Sequence, residues 1–184
     1  MATSKGIVMA TSLPALQDML EANGVKYFNG NVPGELIMTW ETNRYLNPET
    51  NQKSAVIVIR LEDDGQFVKF FCPSCFKSDV PHKQALFEAL LGVCWRTKML
   101  QFEFDDNDGE IRAMIEWPVM DANLTWNQVL CATIAIIRLL DNYYDIIIKA
   151  GQTGILSWSD ESDAEKQAEI QSVVEKLRRL LGDS

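Results

Sequence analysis

Apolar and polar positions along the chain follow two periods, and the order in which these alternate predicts the elements. Leu13, Leu16, Met19 and Leu20 share one face of a short helix. Ser12 can accept from the free N–H groups of its first turn, Pro14 sits where a missing N–H does no harm, and Asn23-Gly24 ends it. Leu36, Met38 and Trp40 then alternate with Glu35, Thr39 and Glu41, a half-buried strand with only Ile37 off pattern. A polar loop, Thr42 to Ser54, follows. Ala55 to Glu62 and Gln66 to Cys72 read as two strands joined at Asp63-Asp64-Gly65, where Asp-Gly supplies the positive φ of a tight hairpin.

From Pro81 to about Lys98 the period returns to that of a helix. Leu86, Leu90 and Val93 make one stripe, and Phe87, Leu91, Cys94 and Trp95 a second. A helix with two apolar stripes is covered by its own sheet and by something else. A second hairpin follows: Leu100, Phe102 and Phe104 alternate with Gln101, Glu103 and Asp105, the chain turns at Asp108-Gly109, and Ile111, Ala113, Ile115 and Trp117 alternate up to Pro118. Thr125 and Gln128 have capping-box spacing and open a long helix to about Ala150, apolar nearly all round from Val129 to Leu140. After a linker, Gly151 to Ser159, a further box at Ser162 and Glu165 opens a one-sided helix carrying Ile170, Val173, Val174, Leu177, Leu180 and Leu181. The prediction is an α+β, two-layer sandwich in the order α-βββ-α-ββ-α, with a five-stranded, largely antiparallel sheet. Residues 1–11 form a loose tail, 12–150 the domain, and 151–184 the linker and C-terminal amphipathic helix.

Composition narrows the function classes. A chain of 184 residues suits one domain, and its formal net charge of −9 with no Lys/Arg cluster disfavours nucleic acid and anionic membrane as partners. The apolar run Ile7 to Ala10 is too short for a signal-peptide core, and Arg138, Asp141 and Asp145 interrupt the longest apolar helix. Four cysteines without an export signal are expected to be reduced, in a cytoplasmic protein.

Chemistry-bearing motifs are few. Cys72-Pro-Ser-Cys75 has redox spacing, but a thiol activated this way sits at a helix N-terminus. Here Ser78, Asp79 and Pro81 start the helix several residues later. A zinc set would add His82 and Cys94, which stand three turns apart. Asp105 to Glu110 resembles a calcium loop, yet Phe104 and Ile115 occupy its first and last ligand positions. No phosphate loop follows a strand, and no motif sets a nucleophile beside the single histidine, His82. The expectation is no catalytic, cofactor-binding or metal-binding residue, and no cofactor.

The stretch Glu116-Trp-Pro-Val-Met-Asp-Ala-Asn-Leu-Thr-Trp, running into Leu139-Leu-Asp-Asn-Tyr-Tyr-Asp-Ile, resembles the YbjN-like branch of the type III secretion chaperone-like fold, a branch linked to regulation of sensory transduction. The resemblance spans Leu13 to Ala150 and implies an α+β sandwich, dimers, and binding of protein or peptide segments without ATP. The leading expectation is therefore a non-enzymatic protein-binding module, chaperone-like or regulatory. Its helices carry more apolar face than five strands can cover, which points to a homodimer. Two alternatives stay open: a thiol redox or zinc-binding protein using Cys72 and Cys75, and a sensor of a small apolar ligand.

Overall fold

The computed structural model describes residues 11–120 and 122–158. The expected C-terminal helix, and the N-terminal tail apart from Thr11, lie outside the described residues. The elements are α1 (Leu13–Ala22), β1 (Phe28–Asn29), β2 (Glu35–Glu41), β3 (Ser54–Glu62), β4 (Phe67–Lys77), α2 (Lys83–Arg96), β5 (Gln101–Phe104), β6 (Glu110–Pro118) and α3 (Trp126–Thr153). The class is the expected α+β, with one correction. The sheet has six strands, not five, in the order β1-β2-β3-β4-β6-β5, and every pairing is antiparallel. The extra strand, β1, is two exposed residues held by its ladder to Leu36 and Ile37 and by a hydrogen bond from the Gln17 side chain to Asn29 Oδ1 at 3.1 Å. With no buried side chain it leaves no alternation to read.

Local chemistry sets the ends of the elements. Ser12 accepts from the Ala15 N–H at 3.3 Å to cap α1, and Thr125 and Gln128 form the reciprocal box that opens α3. At the first hairpin Asp63, Asp64 and Gly65 all have positive φ, at 50°, 55° and 84°. α3 runs three residues past its expected end, because Gly151 stays in the helix with its Cα side against Val80 and the left-handed cap falls at Gly154, φ 73°. Thr11 belongs to the core rather than to a loose tail: it is 3% exposed, and its Oγ1 accepts from the Leu124 N–H at 2.8 Å.

Helix stripes and inward strand positions meet in one core. Leu16 and Leu20 of α1, Leu86, Ala89 and Val93 of α2, and Ile136, Leu140 and Ile147 of α3 close on Met38, Ile57, Ile59, Phe70, Ile111 and Ala113 of the sheet. The opposite sheet face holds a second, small cluster, Val58, Phe71 and Met114, with Ile37 and Val56 packed on it. That cluster accounts for the off-pattern Ile37. Around it runs a ladder of charges, Arg60 to Glu35 and Glu62, then Lys69 to Glu62 and Glu116. The Arg60 and Arg112 guanidinium groups lie 5.1 and 5.6 Å from the centre of the Phe71 ring.

Candidate functional site

Strand order decides where a surface is left open. β6 pairs with β4 on one side and β5 on the other, so the short β5 ends the sheet with a free edge. α2 packs beside that edge. Its first stripe is buried as expected, but the second is only partly covered, with Phe87 and Cys94 half-buried and Leu91 and Trp95 bare. Leu91 is 71% and Trp95 89% exposed, one turn apart on the same crest. Between crest and edge strand lies a groove of about 260 Å³, lined by Phe87, Leu90, Leu91, Cys94, Phe102 and Phe104. The Phe87 and Phe104 rings, 5.0 Å apart, form its floor, and Lys83 Nζ stands 4.6 Å above Phe104 at its mouth. The other flank of α2 is the row Gly92 and Arg96, and the indole of Trp158 sits on it. The Arg96 guanidinium is 3.9 Å from the ring centre, Tyr143 meets the ring edge-on at 6.4 Å, and a Cβ on Gly92 would come within 2.2 Å of the indole.

A second opening lies between α3 and the loop that joins β2 to β3. The loop between β2 and β3 is clasped to α3 by Asp141, whose Oδ1 accepts from the N–H groups of Asn43, Arg44 and Tyr45 at 3.0, 2.9 and 3.0 Å. Oδ2 accepts from Asn43 N–H at 2.9 Å and from its side-chain amide at 3.3 Å. Clasped in this way, Tyr45 is fully buried, and its hydroxyl donates to the Cys75 carbonyl at 3.0 Å. Its ring meets Phe76 and Tyr144 edge-on at 6.0 and 5.7 Å. Beside this aromatic cluster is a cleft of about 230 Å³ with an apolar floor of Phe76, Leu86, Tyr144, Ile147 and Ile148 and a rim of Asn47, Asn51 and Gln152. Asp141 and Trp158 are the two residues that sequence reasoning passed over. Asp141 did stand within the segment that carries the resemblance, an acid directly following two core leucines.

The cysteine motif lies inside a strand. β4 continues five residues beyond Cys72, and a bulge takes up the extra length, since Cys72 pairs with Ala113 and Phe76 with Ile111. Ser74, at φ 46°, turns the bulge, and its N–H donates to Glu110 at 3.0 Å. Both thiols point into protein: Cys72 is 1% exposed and Cys75 fully buried, its Sγ 3.2 Å from the Ile111 carbonyl. Burial pushes the Cys72 thiol up to about 12 and Cys75 well above the ordinary thiol range. That is the reverse of what an attacking thiolate needs. His82 is exposed at the start of α2, its N–H donating to the Gly151 carbonyl at 3.0 Å. Among the described residues no three His, Cys, Asp or Glu side chains converge to hold a metal ion. In the Asp105–Glu110 segment Asp105 Oδ1 accepts from Asn107 N–H and Nδ2 at 2.9 and 2.8 Å, bonds that hold its carboxyl below the usual range. No described helix is long and apolar enough to cross a membrane.

The fold is an open antiparallel sheet with its helices packed on one face. Among solved structures that share it is YbjN from E. coli, at 17% identity, covering 73% of this chain and 92% of that one with a TM-score of 0.51. Two complexes also match: HopA1–SchA, a chaperone–effector complex, at 10% identity over 71% of this chain and 90% of that one, TM-score 0.48, and ExsC–ExsE at 13% identity over 60% and 75%, TM-score 0.42. No family model matches the chain, and no curated protein is significantly similar to it.

Proposed function

We propose that this chain is a non-enzymatic protein-binding module, chaperone-like or regulatory, that binds protein segments along α2 and β5. The observation that carries this reading is the exposed crest of Leu91 and Trp95 beside an apolar groove and a free strand edge. A soluble protein seldom leaves a tryptophan 89% exposed on such a surface without a use for it. An extended segment could pair with β5 and lay alternate side chains on the Phe87–Phe104 floor, and a helix could lay its apolar face on the crest. The same surface serves a homodimer, as two crests can pack about a twofold axis. The acidic net charge directs the choice of partner toward protein rather than nucleic acid.

The test compares the wild type with Leu91→Lys/Trp95→Glu, both checked by circular dichroism for an intact fold. Light scattering during gel filtration reads the mass, and affinity capture from the native host reads the partners. The variant should lose the partners that the wild type retains. Identical partners and identical mass would refute the reading. The cleft beside Tyr144 favours a second reading, a sensor of a small, mostly apolar molecule. A thermal-shift screen of such molecules tests it, with Ile148→Trp to fill the cleft; a hit whose shift survives the filled cleft would count against it.

A further inference from the structure

We propose that the C-terminal segment 163–181 of the same chain occupies the Leu91–Trp95 crest of α2 when no partner is bound. This deepens the reading of that surface as the binding site, since it names the internal competitor for it. The argument begins with the seat of Trp158. Gly92 and Arg96 hold the indole on the row of α2 adjacent to Leu91 and Trp95, so the chain leaves the described structure next to the crest. Residues 159–162, extended at about 3.3 Å each, reach about 13 Å, enough to pass from one row of a helix to the next. The segment that follows has the matching shape. Its stripe from Ile170 to Leu181 extends about 17 Å at 1.5 Å per residue, against about 12 Å for the crest and groove from Phe87 to Trp95. Charge sets the direction. Asp160 and Glu161 of the connection and Asp163, Glu165 and Glu169 of the segment are opposed only by Lys166, and Arg96 in the last turn of α2 and Lys98 just beyond it stand where the segment would start. The segment therefore runs antiparallel to α2, its acidic turns over Arg96 and Lys98 and its leucines over Leu91 and the Phe87–Phe104 floor. A lone helix of this length is marginal in water, so the apolar stripe gains from docking. A partner must displace it, and binding becomes conditional on competing with the chain's own tail.

Hydroxyl-radical footprinting of the full chain tests this, with oxidation of Leu91 and Trp95 read by mass spectrometry. The comparison is the full chain carrying Val173→Asp and Leu177→Asp, which spoils the stripe and leaves the described fold untouched. The expected result is severalfold weaker oxidation of both residues in the wild type, unchanged on dilution. Arg96→Glu, with far-UV circular dichroism unchanged, should lose part of that protection. Equal oxidation in wild type and double variant overturns the proposal. So does protection that survives in the double variant, because some other cover then lies on the crest. Protection that fades on dilution, in step with the loss of a dimer mass, overturns it in favour of a second copy. The assay uses isolated protein, so it stands or falls independently of partner capture by the crest variant.

Discussion

Replacing Asp141 by alanine should unclasp the loop between β2 and β3 and destabilise the whole domain. The carboxylate accepts from three consecutive backbone N–H groups, of Asn43, Arg44 and Tyr45, at 2.9–3.0 Å. Asn43 and Arg44 are exposed, and water can satisfy them once the carboxylate is gone. The Tyr45 N–H belongs to a fully buried residue and cannot be rehydrated in place. A buried donor left unpaired costs about 1–3 kcal/mol, and a hydrogen bond to a charged group contributes about 1.5–3 kcal/mol. One full loss and two partial ones come to about 3–4 kcal/mol, a large share of the 5–15 kcal/mol typical of a domain. For a chain of this size that is a fall in Tm of about 10 °C. Asp141→Asn keeps one acceptor oxygen but turns an amide NH₂ toward the donors, so about half the loss is expected. Urea unfolding followed by circular dichroism measures both, and an unchanged slope with a lowered midpoint would confirm a stability effect. The cleft should loosen with the loop, since Tyr45 carries the aromatic contacts to Phe76 and Tyr144. If Asp141→Ala unfolds within about 0.5 kcal/mol of the wild type, the range of an ordinary surface change, the clasp has no energetic role and the reasoning fails.

Four further outcomes are expected. In the native protein Cys131, which is exposed, should react with a maleimide while Cys72 and Cys75 stay protected until unfolding; rapid labelling of all four thiols would contradict their burial. Because those two thiols ionise in the unfolded chain but stay protonated when folded, folding retains protons above pH 9, and stability should fall as pH rises from about 9 toward 12. The slope is about 1.4 kcal/mol per pH unit for each thiol, and Cys72→Ser/Cys75→Ser, itself folded, should reduce it, leaving above about pH 10 the part due to the Tyr45 hydroxyl, which burial also pushes up; an equal slope in the variant rejects the assignment. Gly92→Ala should gain helix propensity but eject Trp158 from its seat, seen as faster proteolysis after residue 154 with little change in the core transition. Gly65→Ala places a Cβ 2.1 Å from the Thr11 carbonyl oxygen at a φ of 84°, and a loss of at least about 1 kcal/mol is expected by urea unfolding.

What the sequence determined by itself was local. A cap such as Thr125 with Gln128, an Asp-Gly turn, and the switch between periods of two and 3.6 all depend on neighbours a few residues away, so the chain states them directly. They were enough for the class and, β1 apart, for the element order, and the double stripe on α2 already announced a surface in need of a cover. Tertiary structure decided everything that joins distant residues. β1 owes its existence to a ladder partner and not to burial, so no pattern marks it. β6 inserts beside β4 and pushes β5 to the edge, and that placement turns the second stripe into one wall of a groove. The Cys72–Cys75 segment reads as a break in the alternation, and only the register against Ala113 and Ile111 shows a bulge carrying the strand onward. Asp141 meets its donors across nearly a hundred residues. Gly151 continues α3 where a linker was expected, because Val80 packs against it and leaves the left-handed turn to Gly154. Periodicity shows which face of an element must be buried, but what it is buried against is set by packing, a property of the whole chain.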